Sequence, residues 1–194
     1  NPRRDYGPSD FDARHRVVVS LLYELPLHGN RVVSGWQLST INQWQTGNPL
    51  NIITSGLSGL TGTGNLRPDV TGVIHTTGNP TQWFADKSYC ATATCAGTEL
   101  FRAPLAGGIH FGDLGRNAVY GPGFANTDFS IRKTTKITER FSHEFRFEAF
   151  DLFNHPNFGQ PGRTVGTSSF GVITSTRFPT GDSGSSRQLQ FAMK

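Results

Sequence analysis

Three groups of side chains have the types and spacings from which chemistry is built. Gly181-Asp182-Ser183-Gly184 sets a serine in the tight, glycine-flanked turn that a nucleophile needs, but such a serine works only with a histidine base and a buried aspartate brought to it. Here the tetrapeptide stands close to the last residues, in a Gly/Ser-rich stretch between two strand-like segments, and reads as a surface loop. Glu144 and Glu148 flank Arg146 at alternate positions, a spacing that could serve acid–base work but equally describes one charged face of a strand. The histidines, at positions 15, 28, 75, 110, 143 and 155, show no i, i+2 or i, i+4 ligand spacing, so no metal site is expected. Cys90 and Cys95 lie in a Gly/Thr/Ala-rich stretch and read as a local disulfide of an oxidising compartment, with free thiols as the alternative; a zinc site would need two more ligands, and His75 and His110 are remote. No catalytic residue and no cofactor site is expected.

The elements that carry these residues are therefore the informative part. Of 194 residues only 35% are hydrophobic and 23 are glycine, too little apolar material and too much turn-former for a comfortable water-soluble core. No run approaches the roughly 20 apolar residues of a membrane helix. A transmembrane barrel stays open, because its strands need only about 10 alternating residues each. The net charge of +4 is scattered along the chain and forms no basic run, so nucleic acid is not an expected partner. The opening Asn-Pro-Arg-Arg-Asp-Tyr has neither an initiator Met nor a signal-like apolar stretch, so a mature chain or a fragment is expected.

Strict alternation predicts six strands. Arg14 to Leu25 sets Val17, Val19, Leu21 and Tyr23 against Arg14, Arg16, Ser20 and Glu24. Gly35 to Thr54 keeps Trp36, Leu38, Trp44, Leu50 and Ile52 in one parity across Thr46-Gly47-Asn48-Pro49, which predicts one long kinked strand. Trp36 and Trp44 then lie roughly 26 Å apart along the strand, about 20 Å after a tilt near 40°, a separation suited to opposite interfacial girdles. Gly56 to Gly123 reads as one long irregular connection with room for short elements of its own. Alternation returns with Phe129 and Ile131 against Arg132, then Phe145 and Phe147 against Glu144, Arg146 and Glu148, then a weaker Phe170 to Phe178, and finally Leu189 and Phe191 against Gln188 and Gln190.

A soluble sandwich alternates in the same way. Strands of ten residues or more, with both signs of charge on their polar faces, favour the membrane. On that reading Val17, Val19, Leu21, Tyr23, Trp36, Trp44, Phe129, Ile131, Phe145, Phe147, Leu189 and Phe191 face lipid, and Arg132, Glu144, Arg146 and Glu148 face the lumen. The fold class is all-β: an antiparallel up-and-down meander forming part of a transmembrane barrel.

Several segments go beyond pattern. Tyr6-Gly7-Pro8-Ser9-Asp10-Phe11-Asp12 with Arg14-His15-Arg16, Gly35-Trp36-Gln37-Leu38-Ser39, Gln45-Thr46-Gly47-Asn48-Pro49-Leu50, Asn126-Thr127-Asp128 and above all Phe147-Glu148-Ala149-Phe150-Asp151-Leu152-Phe153-Asn154-His155-Pro156-Asn157-Phe158 resemble the late barrel of Oar-like TonB-dependent receptors. The resemblance covers nearly the whole chain and implies that residues 1–194 are the C-terminal segment of a barrel of about 22 strands in a Gram-negative outer membrane. It implies as partners the outer-membrane lipid, the rest of the barrel and its plug, and an inner-membrane TonB-type energy-coupling complex reached through N-terminal parts that this sequence does not include. The implied activity is uptake of a substrate the sequence does not name. A structural or adhesive surface β-protein and a soluble β-sandwich binding module are the alternatives. If the last strand runs from outside to the periplasm, as the resemblance implies, counting back over six strands places residues 56–123 and 153–158 on the periplasmic side.

Overall fold

Period-two alternation carried by Val, Ile, Phe, Tyr and Thr suits a pleated strand whose two faces meet different surroundings. The computed structural model describes residues 5–55, 66–105, 108, 110–177 and 186–194, and these contain strands and turns but no α-helix. Gly181-Asp182-Ser183-Gly184 lies outside the described residues. Five long strands, β1 (Arg16–Glu24), β2 (Trp36–Gln45), β3 (Phe124–Lys136), β4 (Ser142–Phe150) and β5 (Gln188–Met193), form one sheet in chain order. Every neighbouring pair is antiparallel, so the sheet is an up-and-down meander.

The registers give the sheet two unequal ends. Arg16, Gln45 and Phe124 lie side by side at one end, where Phe150 also stands opposite Gln188; the connections there are residues 46–123 and 151–187. At the other end Glu24 meets Gln37 and Lys136 meets Ser142, and the connections are only residues 25–35 and 137–141. Both short turns are closed by their own side chains. Asn30 Oδ1 accepts from the amides of Val32 and Val33, at 3.2 and 3.1 Å. Thr138 Oγ1 accepts from those of Arg140 and Phe141, at 3.3 and 3.1 Å. Such local bonds are how Asn and Thr specify turns.

Two of the six expected strands differ. β2 stops at Gln45, and the parity that continues through Leu50 and Ile52 belongs to another body: Pro49–Leu50 pairs with Val119–Tyr120, and Ile53–Thr54 pairs in parallel with Thr164–Val165. The break has a steric cause, since a Cβ on Gly47 would stand 1.9 Å from the carbonyl oxygen of Gly121, and Pro49 has no amide to give a ladder. Of the expected strand Phe170 to Phe178, the described residues 170–177 add no strand to the meander, and Phe178 lies outside the described residues. Phe170 is buried in a core of its own and β5 pairs directly with β4. The strand count behind a periplasmic placement of residues 56–123 and 153–158 is therefore not that of the sheet.

By its contacts the chain divides into two compact units. One comprises His15–Thr46, Gly123–Asn157 and Thr176–Lys194, the meander and its short turns. The other is drawn from Asn1–Arg14, Gly47–Pro122 and Phe158–Ser175, so the long connection folds rather than wandering. Leu50, Ile52, Trp83, Phe84, Leu100, Phe101, Val119, Val165 and Phe170 make its core. Phe170 holds that core together, stacking on Phe84 at 5.0 Å and meeting Phe101 edge-on at 5.2 Å. Gly171, at φ +69, lets the chain turn where a Cβ would press to 2.9 Å from the Phe84 ring. Cys90 and Cys95 are joined as a disulfide with Cα atoms 5.9 Å apart. Burial pushes the neighbouring Tyr89 phenol above its ordinary range, and the Ser88 amide and hydroxyl hold the Asp86 carboxyl below its own.

Because the disulfide closes a very short loop, its effect on the unfolded chain is about 2 kcal/mol, whereas removing a buried aromatic ring costs about 3–5 kcal/mol. Hydrogen exchange should show reduction loosening residues 89–97 while the core amides near Phe84 and Val165 stay protected. Phe101→Ala should instead deprotect the whole unit.

Candidate functional site

In an antiparallel ladder, residues directly opposite one another point to the same side of the sheet. Following the pairs across five strands, Val17 meets Trp44, Leu21 meets Thr40, Tyr23 meets Leu38, Leu38 meets Ile131, Thr40 meets Phe129, Ile131 meets Phe147, and Phe147 meets Phe191. Trp36 and Phe145 join this face through Lys133, Val19 joins it through Asn42, and Leu189 through Ala149. All twelve residues expected to face lipid thus share one side of one sheet. Arg132, Glu144, Arg146 and Glu148 share the other. Trp36 and Trp44 stand near opposite ends of β2, whereas the third tryptophan, Trp83, serves the other unit's core.

The apolar face contains polar residues, and four of them, Thr40, Asn42, Thr127 and Lys133, have protein partners. Thr127 Oγ1 donates to Asn42 Oδ1 at 3.0 Å, Asn42 Nδ2 to Thr40 Oγ1 at 3.2 Å, and Thr40 Oγ1 to the Asp128 carbonyl at 2.9 Å. This chain of bonds gives three polar side chains protein partners. Lys133 is 9% exposed. Its ammonium bends to the sheet end, donates to the carbonyl oxygens of Arg31 and Ser34, and lies 5.4 Å from the centre of the Trp36 ring.

The opposite face is a ladder of mixed charge. Glu144 stands 3.9 Å from Arg132 Nη1 and 3.6 Å from Arg146 Nε, and Glu148 Oε1 is 3.5 Å from Arg146 Nη1. Towards β1 the polar pairing continues with the Ser39 and Ser130 hydroxyls 2.8 Å apart and Gln37 Nε2 donating to Glu24 Oε1 at 3.5 Å. These ion pairs are long and partly exposed, so each adds about 0–1 kcal/mol. They spread charge along the face, and Arg146 between the two glutamates sets both into ion pairs. The face is less uniform near the edge strand, where Val18, Leu22 and Ile41 interrupt it. Among the described residues no group of three His, Cys, Asp or Glu is gathered as a metal site. His110 instead bonds Asp69 at 2.9 Å in the other unit.

Sequence reasoning missed a third feature, an Asx cluster at the long-connection end. Asp128 Oδ1 accepts from Asn126 Nδ2 at 2.9 Å and from the Asp151 amide at 3.0 Å. Asp151 Oδ1 accepts from the His155 amide at 3.1 Å, and Asn157 Oδ1 from the Ala125 amide at 2.9 Å. Asp151 and Asn154 hold left-handed backbone, at φ 49 and 52, which short polar side chains tolerate best. The segment from Phe147 to Phe158 is thus a strand exit whose Asp and Asn side chains supply acceptors to the backbone. The signal was present in its Asp-x-x-Asn-x-x-Asn spacing.

A sheet with one apolar and one charged face, and with no helix among the described residues long and apolar enough to cross a membrane, was compared with known proteins. Residues 1–190 match the family model of the outer membrane beta barrel domain. The chain belongs to that family. No curated protein and no solved structure matches it. As an outer membrane beta barrel domain it resides in the outer membrane, surrounded by lipid, and the soluble-sandwich alternative falls with the match. The family also accounts for the meander, since barrels of this class are built from antiparallel neighbours.

The Asx cluster gives this barrel domain a specific weak point. Asp128→Ala would leave the Asp151 amide without its acceptor, at a cost of about 1–3 kcal/mol for a buried donor. Heat-modifiability on unboiled gels should show a lower unfolding temperature for Asp128→Ala, with Asp128→Asn close to the parent.

Proposed function

We propose that this chain forms part of the wall of a TonB-dependent receptor that takes up a substrate across the outer membrane, and that it carries no catalytic step. The observation that supports this reading best is the division of the sheet into faces. Twelve apolar side chains on one side suit hydrocarbon. The alternating Arg and Glu ladder on the other suits a hydrated interior filled by more polypeptide. The resemblance of the segment from Phe147 to Phe158, and of the strands before it, to Oar-like receptors supports the narrower family. The plug and the inner-membrane energy-coupling complex enter as partners on the same footing.

Sidedness follows from connection length. Barrels of this class carry short periplasmic turns and long extracellular loops, so residues 25–35 and 137–141 belong to the periplasmic side and residues 46–123 and 151–187 to the cell surface. Counting back over five strands from a last strand that descends to the periplasm gives the same assignment.

Three measurements bear on this reading. Spin labels at 129, 131, 145, 147, 189 and 191 should report hydrocarbon while labels at 130, 132, 146 and 148 report water; a detergent-free, water-exposed set at the first positions would sink the membrane orientation. A photocrosslinker at Arg146 should capture a polypeptide segment of the same protein, and capture of lipid would overturn the plug-filled interior. An epitope inserted after Gly78, in the exposed strand Thr76–Asn79 of the hairpin it forms with Gln82–Phe84, should be recognised on intact cells, whereas one inserted after Arg140 should need permeabilised membranes.

A further inference from the structure

The charge ladder is balanced along most of the polar face, but the balance fails at the short-turn end. There the two turns line an open cavity of about 1080 Å³. Arg31, Lys136 and Arg140 line it against a single acid, Glu139. Among the described residues none of these three cations is ion-paired. Arg31 spends one guanidinium nitrogen on the Ile137 carbonyl, at 3.0 Å, which ties one turn to the other and leaves its remaining N–H groups free to bind. The turns themselves are closed by the Asn30 and Thr138 side chains, so the cations project from ordered backbone.

We propose that this cavity is a binding site for a phosphate-type oxyanion carried by a water-soluble solute. The inference rests on the reading of the charged face as the barrel interior. Charge selects an anion, and a cluster containing two guanidinium groups among threonine and serine hydroxyls suits the several acceptor oxygens of phosphate better than a simple halide. Parity distinguishes a dissolved solute from a lipid headgroup. Gly35, Thr134, Lys136 and Ser142, which line the cavity, have the parity of the charged face; Thr135 lines it from the apolar-face parity, whereas Trp36, Lys133 and His143 do not line it. On the proposed assignment of faces most of its strand wall lies on the water side, and cations at a pore mouth are a known way to favour anions.

The test uses the protein purified from outer membranes in an uncharged detergent and titrated with inorganic phosphate by calorimetry. A saturable heat is expected. The double variant Lys136→Gln, Arg140→Gln should lower the affinity at least tenfold, and Glu139→Gln should raise it, with heat-modifiability confirming that each variant remains folded. No saturable phosphate heat, or a heat unchanged in the double variant, would overturn the proposal. So would binding seen only when nanodiscs contain phosphatidylglycerol, because that is a lipid site. The spin-label result at 145 and 147 is independent of these outcomes. Hydrocarbon there without phosphate binding refutes the cavity alone, and phosphate binding with aqueous labels keeps the cavity and refutes the membrane reading.

Discussion

In hydrocarbon a backbone amide or carbonyl has no water to fall back on, so every one must find a partner in protein. The antiparallel ladder is that partner, and its pairing also fixes which side chains share a side. A slip of one residue between β2 and β3 would turn Leu38 and Trp36 to the charged side and Gln37 and Ser39 to the apolar one. The ladder therefore sets chain accounting and surface chemistry at once. The polar groups on the apolar face obey the same demand: Thr40, Asn42 and Thr127 bond to one another, and Lys133 reaches the carbonyl oxygens at the sheet end.

Pairing also explains what the sequence made legible. Where both faces of a strand meet contrasting surroundings, as in Phe145 to Ala149, alternation is dense and the facing of each side chain can be read directly. Where the surroundings are a small three-dimensional core, parity carries no such meaning. Leu50 and Ile52 continue the rhythm of β2 by position alone, yet both are buried in the other unit, and the stop is set by close backbone approach at Gly47. Phe170 misled in the same way, an aromatic in an alternating stretch that anchors a core instead of a strand. The Asx cluster was legible in part: Asp151, Asn154 and Asn157 show their spacing in the sequence, but β4 separates them from Asp128, and only the register brings Asp128 to the Asp151 amide.

The two units divide the physical labour. In one, apolar residues lie together on one face of a sheet, the face proposed to meet lipid. In the other they turn inward, with Phe84, Phe101 and Phe170 forming an interior of the kind found in water-soluble proteins. A composition that looked too poor in apolar residues for a chain of this length is sufficient once only part of the chain needs a core.

Trp36 and Trp44 lend the strand a further property. Indole rings favour the boundary between hydrocarbon and headgroups, and eight residues of tilted strand set two such boundaries about 20 Å apart. β2 is in effect a ruler. A bilayer thicker than that span must thin around the barrel or pull an indole out of its preferred layer, each at fractions of a kcal/mol per Å. On the proposed orientation, with both indoles facing lipid, the barrel is at lowest free energy in a membrane whose thickness matches that span, a preference written into the spacing of two side chains.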